Sequence, residues 1–405
     1  MQLSRFIAAR LALGKFKSFA ALIIRLAWFG VGLSVAVMII AIAIVVGYKR
    51  QITEKVIGFG GGIEIHSTGT SGNFDYVQFS DSLPLRNRIQ NLAGVTHIAP
   101  VMSRPGILKA NDDLEGIVFK GIDGRYDFAF LQKHLTRGRL PAVGDSLRKR
   151  EILISKVLSR KMKLDTGDLV RIYFINDPVR VIPCNITGIY ETGLEENDML
   201  YVVGSLREMQ RIFANKKQQI THYEVRTTHV DQLTENTKRL NRSLPLELNA
   251  ESLVQLNPQI FDWLGYLDQN IGIILTLMII VASINMITAL LILIIERTNM
   301  IGILKALGSR SSMIKRIFLN HALYILVLGL LFGNVLGLSL CWLQSEYKLI
   351  TLPQETYYLS SVPIAIEMWH ILAVNAGTVL LCMLALLLPV RLINRIEAVK
   401  AIRFN

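Results

Sequence analysis

Four stretches of this 405-residue chain carry no charged side chain over a length that can cross a bilayer: Leu26–Gly47, Ile271–Ile295, Ala322–Leu343 and Ile371–Val390. A helix rises about 1.5 Å per residue, so a hydrocarbon core of about 30 Å needs roughly 20 apolar residues. Helices in a soluble core seldom run more than about 18 residues without a charge, so all four stretches read as transmembrane helices. The first exceeds the roughly 7–15 apolar residues of a signal peptide. The Gly47-Tyr48-Lys49-Arg50 that follows offers no small-x-small cleavage site, so this helix reads as retained. A mean hydropathy of +0.40 fits a membrane protein, but 19% charged residues demand a large water-facing part. The segment 48–270 between the first two spans supplies it.

The net charge of +13 raises the question of nucleic acid, and its placement answers it. Segment 48–270 is nearly balanced, with 29 Lys and Arg against 26 Asp and Glu. The excess sits beside the spans: Arg5, Arg10, Lys15, Lys17 and Arg25 before the first; Arg297, Lys305, Arg310, Lys315 and Arg316 against Glu296 in 296–321; and Arg391, Arg395, Lys400 and Arg403 against Glu397 in 391–405. The loop 344–370 has only Lys348 against Glu346, Glu355 and Glu367. Short basic loops stay in the cytoplasm. Both termini and 296–321 are therefore expected inside, and 48–270 and 344–370 outside. The basicity reports topology and contact with anionic membrane lipids, and no nucleic-acid partner is implied.

The spans divide the chain into a cytoplasmic N-terminal segment 1–25, a helix 26–47, an outer domain 48–270, a helix 271–295, a cytoplasmic segment 296–321, a helix 322–343, an outer loop 344–370, a helix 371–390 and a cytoplasmic tail 391–405. Within 1–25, residues 4–20 mix basic and apolar side chains near helical spacing, as an amphipathic helix on the membrane surface does. A frayed basic tail is the other reading. The outer domain reads as α+β. Ser82-Leu83-Pro84 opens a helix with Leu85, Ile89 and Leu92 on one face. Alternation marks strands in Leu114–Ile122 and Ile220–Thr227. Leu169–Ile175 and Val179–Tyr190, split by Asn176-Asp177-Pro178, read as a hairpin. Ser205 and Glu208 have capping-box spacing before a helix 206–213. Arg137-Gly138-Arg139-Leu140-Pro141 reads as a linker, which gives two lobes: 60–135 with 218–252, and an inserted 137–217. A helix from about Asn257 is expected to run straight into the second span.

Several chemistries are missing from the sequence. There is no G-x-x-x-x-G-K-[ST] loop for ATP. Gly58-Phe59-Gly60-Gly61-Gly62 lacks the following Lys and reads as a flexible exit from the first helix. The seven histidines include no i, i+4 pair, so no metal site is visible. No G-x-S-x-G elbow is present. Cys341 and Cys382 fall in spans, leaving Cys184 alone in the outer domain as a small buried strand residue. No Asp, Glu, Lys or Arg lies deep in a span, which argues against ion-driven transport. Asn285, Asn334 and Asn375 sit mid-span, where interhelical hydrogen bonding is the simplest role. Gly329, Gly333 and Gly337 recur every four residues, a spacing that lets helix backbones approach.

Two cytoplasmic segments carry a family resemblance. Glu296-Arg297-Thr298-Asn299-Met300-Ile301-Gly302-Ile303-Leu304-Lys305-Ala306-Leu307-Gly308 resembles the E-R-x-x-E-I-G-[IV]-x-[KR]-A-[LI]-G signature of FtsX-like ABC permeases, with Met300 in place of the usual acid. It reads as a short amphipathic helix ended by Gly308, with Ile301, Leu304 and Leu307 on one side. Ile396-Glu397-Ala398-Val399-Lys400-Ala401-Ile402-Arg403-Phe404 resembles the family's C-terminal ending, with Ala398 where proline is usual. Val35–Gly62, Gly138-Arg139-Leu140-Pro141, Ile152–Asp168 and Gly188–Asp198 are similar to the permeases of the lipoprotein-releasing (Lol) system.

The resemblance implies an α+β membrane protein with four transmembrane helices, one plus three, and a large two-lobed MacB-like periplasmic domain between the first and second. It implies a non-catalytic permease subunit in the inner membrane that binds no cofactor, with ATP and Mg on a partner dimer of ABC ATPase subunits. A second permease, identical or a paralogue, completes the membrane part. The cargo is a lipoprotein, passed to a periplasmic lipoprotein carrier. The family's carrier-recruiting permease has an extended hook hairpin, and the hairpin here turns over Asn176-Asp177-Pro178 alone. That fits the non-recruiting partner or a different carrier geometry. Glu296, Arg297, Ile301, Gly302, Leu304, Lys305, Ala306, Leu307 and Gly308 would couple to the ATPase. Ile42, Val45, Val46, Ile271, Ile274 and Leu275 would line a path for cargo acyl chains, or else are plain lipid-facing surface. A MacB-like export permease and an FtsX-like regulator of cell-wall hydrolases are the alternative family roles. The first usually carries its own N-terminal ATPase, and the second usually has a smaller outer domain. A membrane-anchored signalling module would need no coupling helix.

Overall fold

The computed structural model describes residues 19–69, 77–92, 94–110, 113–143, 150–175, 178–213, 218–228, 232–353 and 357–392. The C-terminal Ile396–Phe404, the hairpin apex Asn176-Asp177 and nearly all of the amphipathic segment 4–20 lie outside them. The elements in chain order begin with α1 (Phe19–Gly60), β1 (Ile63–Ser67), β2 (Phe79–Ser80), α2 (Leu83–Gln90), β3 (Val95–Ala110), β4 (Asp113–Ile122), α3 (Ala129–Lys133) and β5 (Leu135–Gly138). Next come β6 (Glu151–Ser155), α4 (Lys156–Met162), β7 (Leu169–Phe174), β8 (Arg180–Tyr190), α5 (Glu195–Leu200), β9 (Tyr201–Ser205), α6 (Leu206–Phe213), β10 (Gln219–Ile220) and β11 (His222–Thr227). Then follow α7 (Leu233–Ser243), β12 (Leu248–Ser252), α8 (Leu253–Leu256), α9 (Pro258–Glu296), α10 (Thr298–Ala306), α11 (Ser311–Tyr347), α12 (Met368–Ala385) and α13 (Leu387–Leu392). The chain forms two units. One is drawn from the chain up to Arg50, Trp263–Thr351 and Ser361 onward, the other from Gln51–Asp262 and Leu352–Ser360.

Among the described residues, four helical stretches are long and apolar enough to span a membrane: Ile24–Gly60, Pro258–Glu296, Ser311–Tyr347 and Met368–Arg391. Each outruns its uncharged segment, because absence of charge marks only the hydrocarbon part while the helix continues through polar turns. Hydroxyls within the spans fold back onto the carbonyl four residues earlier: Ser34 onto Gly30, Thr276 onto Gly272 and Thr378 onto Val374. These three donors are then satisfied within their own helices. Asn334 and Asn375 exchange hydrogen bonds of 2.7 and 3.0 Å between α11 and α12. Such pairs contribute about 0.6–2 kcal/mol within membranes. Gly329, Gly333 and Gly337 are buried in α11 and face α1. A Cβ on Gly333 would lie 2.5 Å from the Gly32 carbonyl oxygen.

In the second unit, ten strands pair in the order β12-β1-β11-β3-β4-β9-β6-β8-β5, and β7 bridges β3 and β8. The circuit β3-β4-β9-β6-β8-β7 therefore closes on itself. The strands form where expected from alternation, and β7 and β8 pair antiparallel from Leu169↔Asn185 to Phe174↔Arg180. Cys184 is buried on β8. The helix α2 buries Ile89. Glu208 turns its carboxylate to Arg150 and Arg211, at 3.3 and 2.8 Å. A reciprocal capping box forms at Ser252 and Gln255.

Three expectations are corrected here. The lobe boundary does not follow the strand pairing. The first half of the 16-residue β3 pairs β11, but farther along Ile107–Lys109 pair β7, and Val118–Ile122 of β4 pair β9, both strands of the inserted segment. One apolar core accordingly runs from Ile63 and Ile98 to Ile172 and Ile186. Arg137–Pro141 is no linker, since Leu135–Gly138 is an edge strand on β8. Gly138 has φ +77° and stands where a Cβ would meet the Thr187 carbonyl, while Arg139 forks onto Glu151 at 2.7 and 2.8 Å. Gly58–Gly62 is no flexible exit either. The helix α1 runs to Gly60, a Cβ on Gly58 would strike the Phe130 ring, and Gly61 takes φ +75° to turn the chain into β1. Glycine serves close packing and a left-handed turn here, which the sequence alone does not distinguish from looseness.

Candidate functional site: the exposed helix between the second and third spans

The second span, α9, ends at Glu296, and Arg297 breaks it before α10 begins at Thr298. The Thr298 hydroxyl donates to the Ile295 carbonyl at 2.6 Å and sets the corner. At the far end Gly308 takes φ +83°. Its N–H bonds the Lys305 carbonyl and the Ser309 N–H bonds the Leu304 carbonyl, at 3.0 and 2.9 Å. That pair of bonds is a Schellman stop, and it explains the glycine by backbone conformation alone. The chain re-enters helix at Ser311.

The faces of α10 differ from the expected one. Ile301 is fully buried and Leu304 half-buried, both against a cluster containing Leu293, Ile294, Ile314 and Phe318. Gly302 is buried too. Leu307 is 77% exposed and Ile303 54% exposed. The correction follows from the helical angle: six residues at about 100° each leave Leu307 about 120° away from Ile301 around the helix, off the buried face. Residues 299, 303, 306 and 307 are spaced to share one stripe, and Asn299, Ile303, Ala306 and Leu307 are all exposed. Ile301 and Leu304 anchor α10 to its own unit, and Ile303 with Leu307 forms the free apolar surface. Ile303, which the motif reading omitted, was findable from its i, i+4 relation to Leu307. Glu296 is exposed at the corner, Arg297 next to it is half-buried, and Lys305 in the last turn of α10 is half-buried too.

The six residues assigned to acyl chains are only partly gathered. Ile42 and Leu275 pack against one cluster with Val35, Met38, Ile39, Ala43, Cys341 and Val374. Val45, Val46 and Ile271 are half-buried, and Ile274 is 38% exposed. An apolar cleft borders Ile42 and is lined by Ile39, Ala43, Ala365, Ile371 and Val374.

Residues 26–242 match the MacB-like periplasmic core domain, and residues 272–398 match the FtsX-like permease C-terminal domain. The chain belongs to this family, that of the permease subunits of ABC transporters, which are not themselves catalytic. It is similar to the lipoprotein-releasing system transmembrane protein LolC of Xylella fastidiosa, with 22% identity over 398 residues, covering 93% of this chain and 92% of that protein. To the lipoprotein-releasing system transmembrane protein LolE of Haemophilus influenzae it is 21% identical over 417 residues, covering 95% of each. Among solved structures, the periplasmic region of MacB from Actinobacillus actinomycetemcomitans aligns over 51% of this chain and 95% of its own, at 14% identity and a TM-score of 0.36.

Proposed function

We propose that this chain is the transmembrane permease subunit that extracts lipoproteins from the inner membrane for delivery to the outer membrane, driven by a separate ATPase. The observation that carries the reading is the apolar stripe Ile303–Leu307, exposed on a helix whose other face is anchored by Ile301. In this reading the stripe docks into a cleft of the ATPase subunit, with Glu296, Arg297 and Lys305 at its edge, and ATP with Mg stays on that partner. Nucleotide-driven closure displaces α10. Since α9 is one unbroken helix from Pro258 to Glu296, it passes the displacement toward the periplasmic domain. Both termini and α10 are cytoplasmic in this scheme, as the loop charges require. A second permease, identical or paralogous, faces the outer halves of α1 and α9, and the cargo's acyl chains enter there beside Ile42 and Leu275. A carrier in the periplasm receives the released lipoprotein.

Work must be supplied because the anchor is deep. At about 0.8 kcal/mol per buried CH₂, three acyl chains are held by tens of kcal/mol, and thermal escape is negligible. Native mass spectrometry of the complex purified from its own membrane tests the assignment. An ATPase dimer together with an acylated lipoprotein is the expected composition. A cell-wall hydrolase or a soluble export substrate in place of the lipoprotein would refute it.

A further inference from the structure

The second unit contains a polar chamber of about 470 Å³ whose charged lining comes mostly from three neighbouring strands. Cross-strand register builds it. On β1, Glu64 lies opposite Glu224 of β11 on one side and Glu251 of β12 on the other. Two residues on, His66 lies opposite His222. Residues two apart on a strand share a face, so a row of three carboxylates runs beside a pair of imidazoles. Like charges directly opposite destabilise a sheet, and here His222 and Glu224 are buried while Glu64 and Glu251 are partly so.

One cation is already present, and it is fully used. Lys120 Nζ donates to Glu224 at 2.7 Å, to the Phe59 carbonyl at 2.6 Å and to the Tyr126 hydroxyl at 3.1 Å. An ammonium has three donors, and all three are committed.

The histidines are set to supply nitrogen. The Ser103 N–H donates to the Thr221 hydroxyl oxygen, and that hydroxyl donates to the Val101 carbonyl. Thr221 Oγ1 also lies 2.9 Å from His222 Nδ1 and holds the ring in place. This orients the ring with Nε2 toward Glu224, 3.6 Å away, as the outer partner of a metal-bound imidazole does. Ligand atoms of Glu64, His222 and Glu224 all lie within 4.8 Å of one another. His66 also lines the chamber. Only 9% of it is exposed, and its Nδ1 is buried with no hydrogen-bond partner among the described residues.

We propose that this chamber is a zinc site in which a Glu64 oxygen, His222 Nε2 and a Glu224 oxygen hold one Zn²⁺, with His66 and Glu251 beside it. Ligand atoms of two carboxylates and an imidazole gathered this closely suit a divalent cation. A mixed imidazole and carboxylate set favours zinc over Mg²⁺ or Ca²⁺, which take oxygen ligands. A carboxylate has about four lone-pair positions, so Glu224 can serve Lys120 and the metal together. The ion would tie β1 to β11. It makes no demand on the transport reading, and it is tested without any transport assay.

The full-length chain, purified in detergent with whatever subunits it carries, is stripped with EDTA and titrated with Zn²⁺ by calorimetry. Co²⁺ absorption gives a second, spectroscopic reading of the same site. The expected result is one equivalent bound at micromolar Kd or tighter, weakened at least about tenfold by Glu64→Gln and by His222→Ala. Should His222→Ala fail to fold, Glu64→Gln, which keeps the side-chain shape, decides alone. No saturable binding to the wild-type chain, or binding that Glu64→Gln leaves unchanged, overturns the proposal.

Discussion

Gly333→Ala adds a single methyl group at the tightest point between α1 and α11. That carbon would lie 2.5 Å from the Gly32 carbonyl oxygen, 2.8 Å from Val35 Cβ and 3.1 Å from Gly32 Cα. Non-bonded carbon contacts sit at about 3.5–4.0 Å, so the helices must separate locally by about 1 Å. Two of the three obstacles are backbone atoms, which cannot rotate away. Overpacking of this kind costs about 1–3 kcal/mol. At Gly337 the nearest neighbour of the new carbon would be 3.2 Å away, a contact that a small shift relieves, and at Gly377 nothing lies within 4 Å. The expected order of stability is therefore Gly377→Ala near wild type, Gly337→Ala slightly below and Gly333→Ala well below. With about 2–4 °C lost per kcal/mol in a domain of this size, the last should melt several degrees early. Intrinsic-fluorescence melting of the detergent-solubilised protein reads the series. Equal melting temperatures for Gly333→Ala and Gly377→Ala would refute the close-packing argument.

On α10, Leu307→Asp and Ile303→Asp should abolish stimulation of the ATPase while the protein still inserts and keeps its melting temperature, whereas Ile301→Asp should lower the melting temperature because it buries a charge. Stimulation assays beside thermal melts separate the two faces, and normal stimulation in both exposed-face variants would rule out docking there. Lys120→Met should cost about 3–5 kcal/mol by leaving Glu224 buried without its ammonium, read as a lowered denaturant midpoint. Asp198 is raised to about 6 from 3.8, chiefly by burial. A carboxyl raised on folding gives stability that is complete below about pH 4 and lost as pH rises through about 6, worth about 3 kcal/mol at 1.4 kcal/mol per pH unit. Amide exchange at Thr192 and Gly193, which donate to Asp198, should show freer opening at pH 7 than at pH 4 after correction for intrinsic rate. Asp198→Asn should erase the difference.

The membrane half was legible because lipid imposes one rule: a run without charges must be helix. The spacing of Gly329, Gly333 and Gly337 marked a helix face for the same reason. The helix α10 was legible as an element from Gly308 and from the motif, but not its orientation. Ile301 and Leu307 look alike in sequence, and only packing tells the anchor from the free surface. The lobes were misdrawn because β3 serves two sets of partners along its 16 residues, and no local pattern encodes where a strand changes partner. The chamber was invisible for a related reason. Glu64 and His66 stand some 160 residues from His222 and Glu224, and cross-strand register brings them together. A polar alternation inside two buried strands was the signal, and it reads equally well as a solvent-facing edge.

The most direct test of lipoprotein release is to deplete this protein in its own cell and, soon afterwards, separate the two membranes and follow mature, acylated lipoproteins between them. The account predicts that outer-membrane lipoproteins accumulate in the inner membrane while signal processing and acylation continue. Unchanged lipoprotein distribution, with no second copy of the permease expressed, would contradict it.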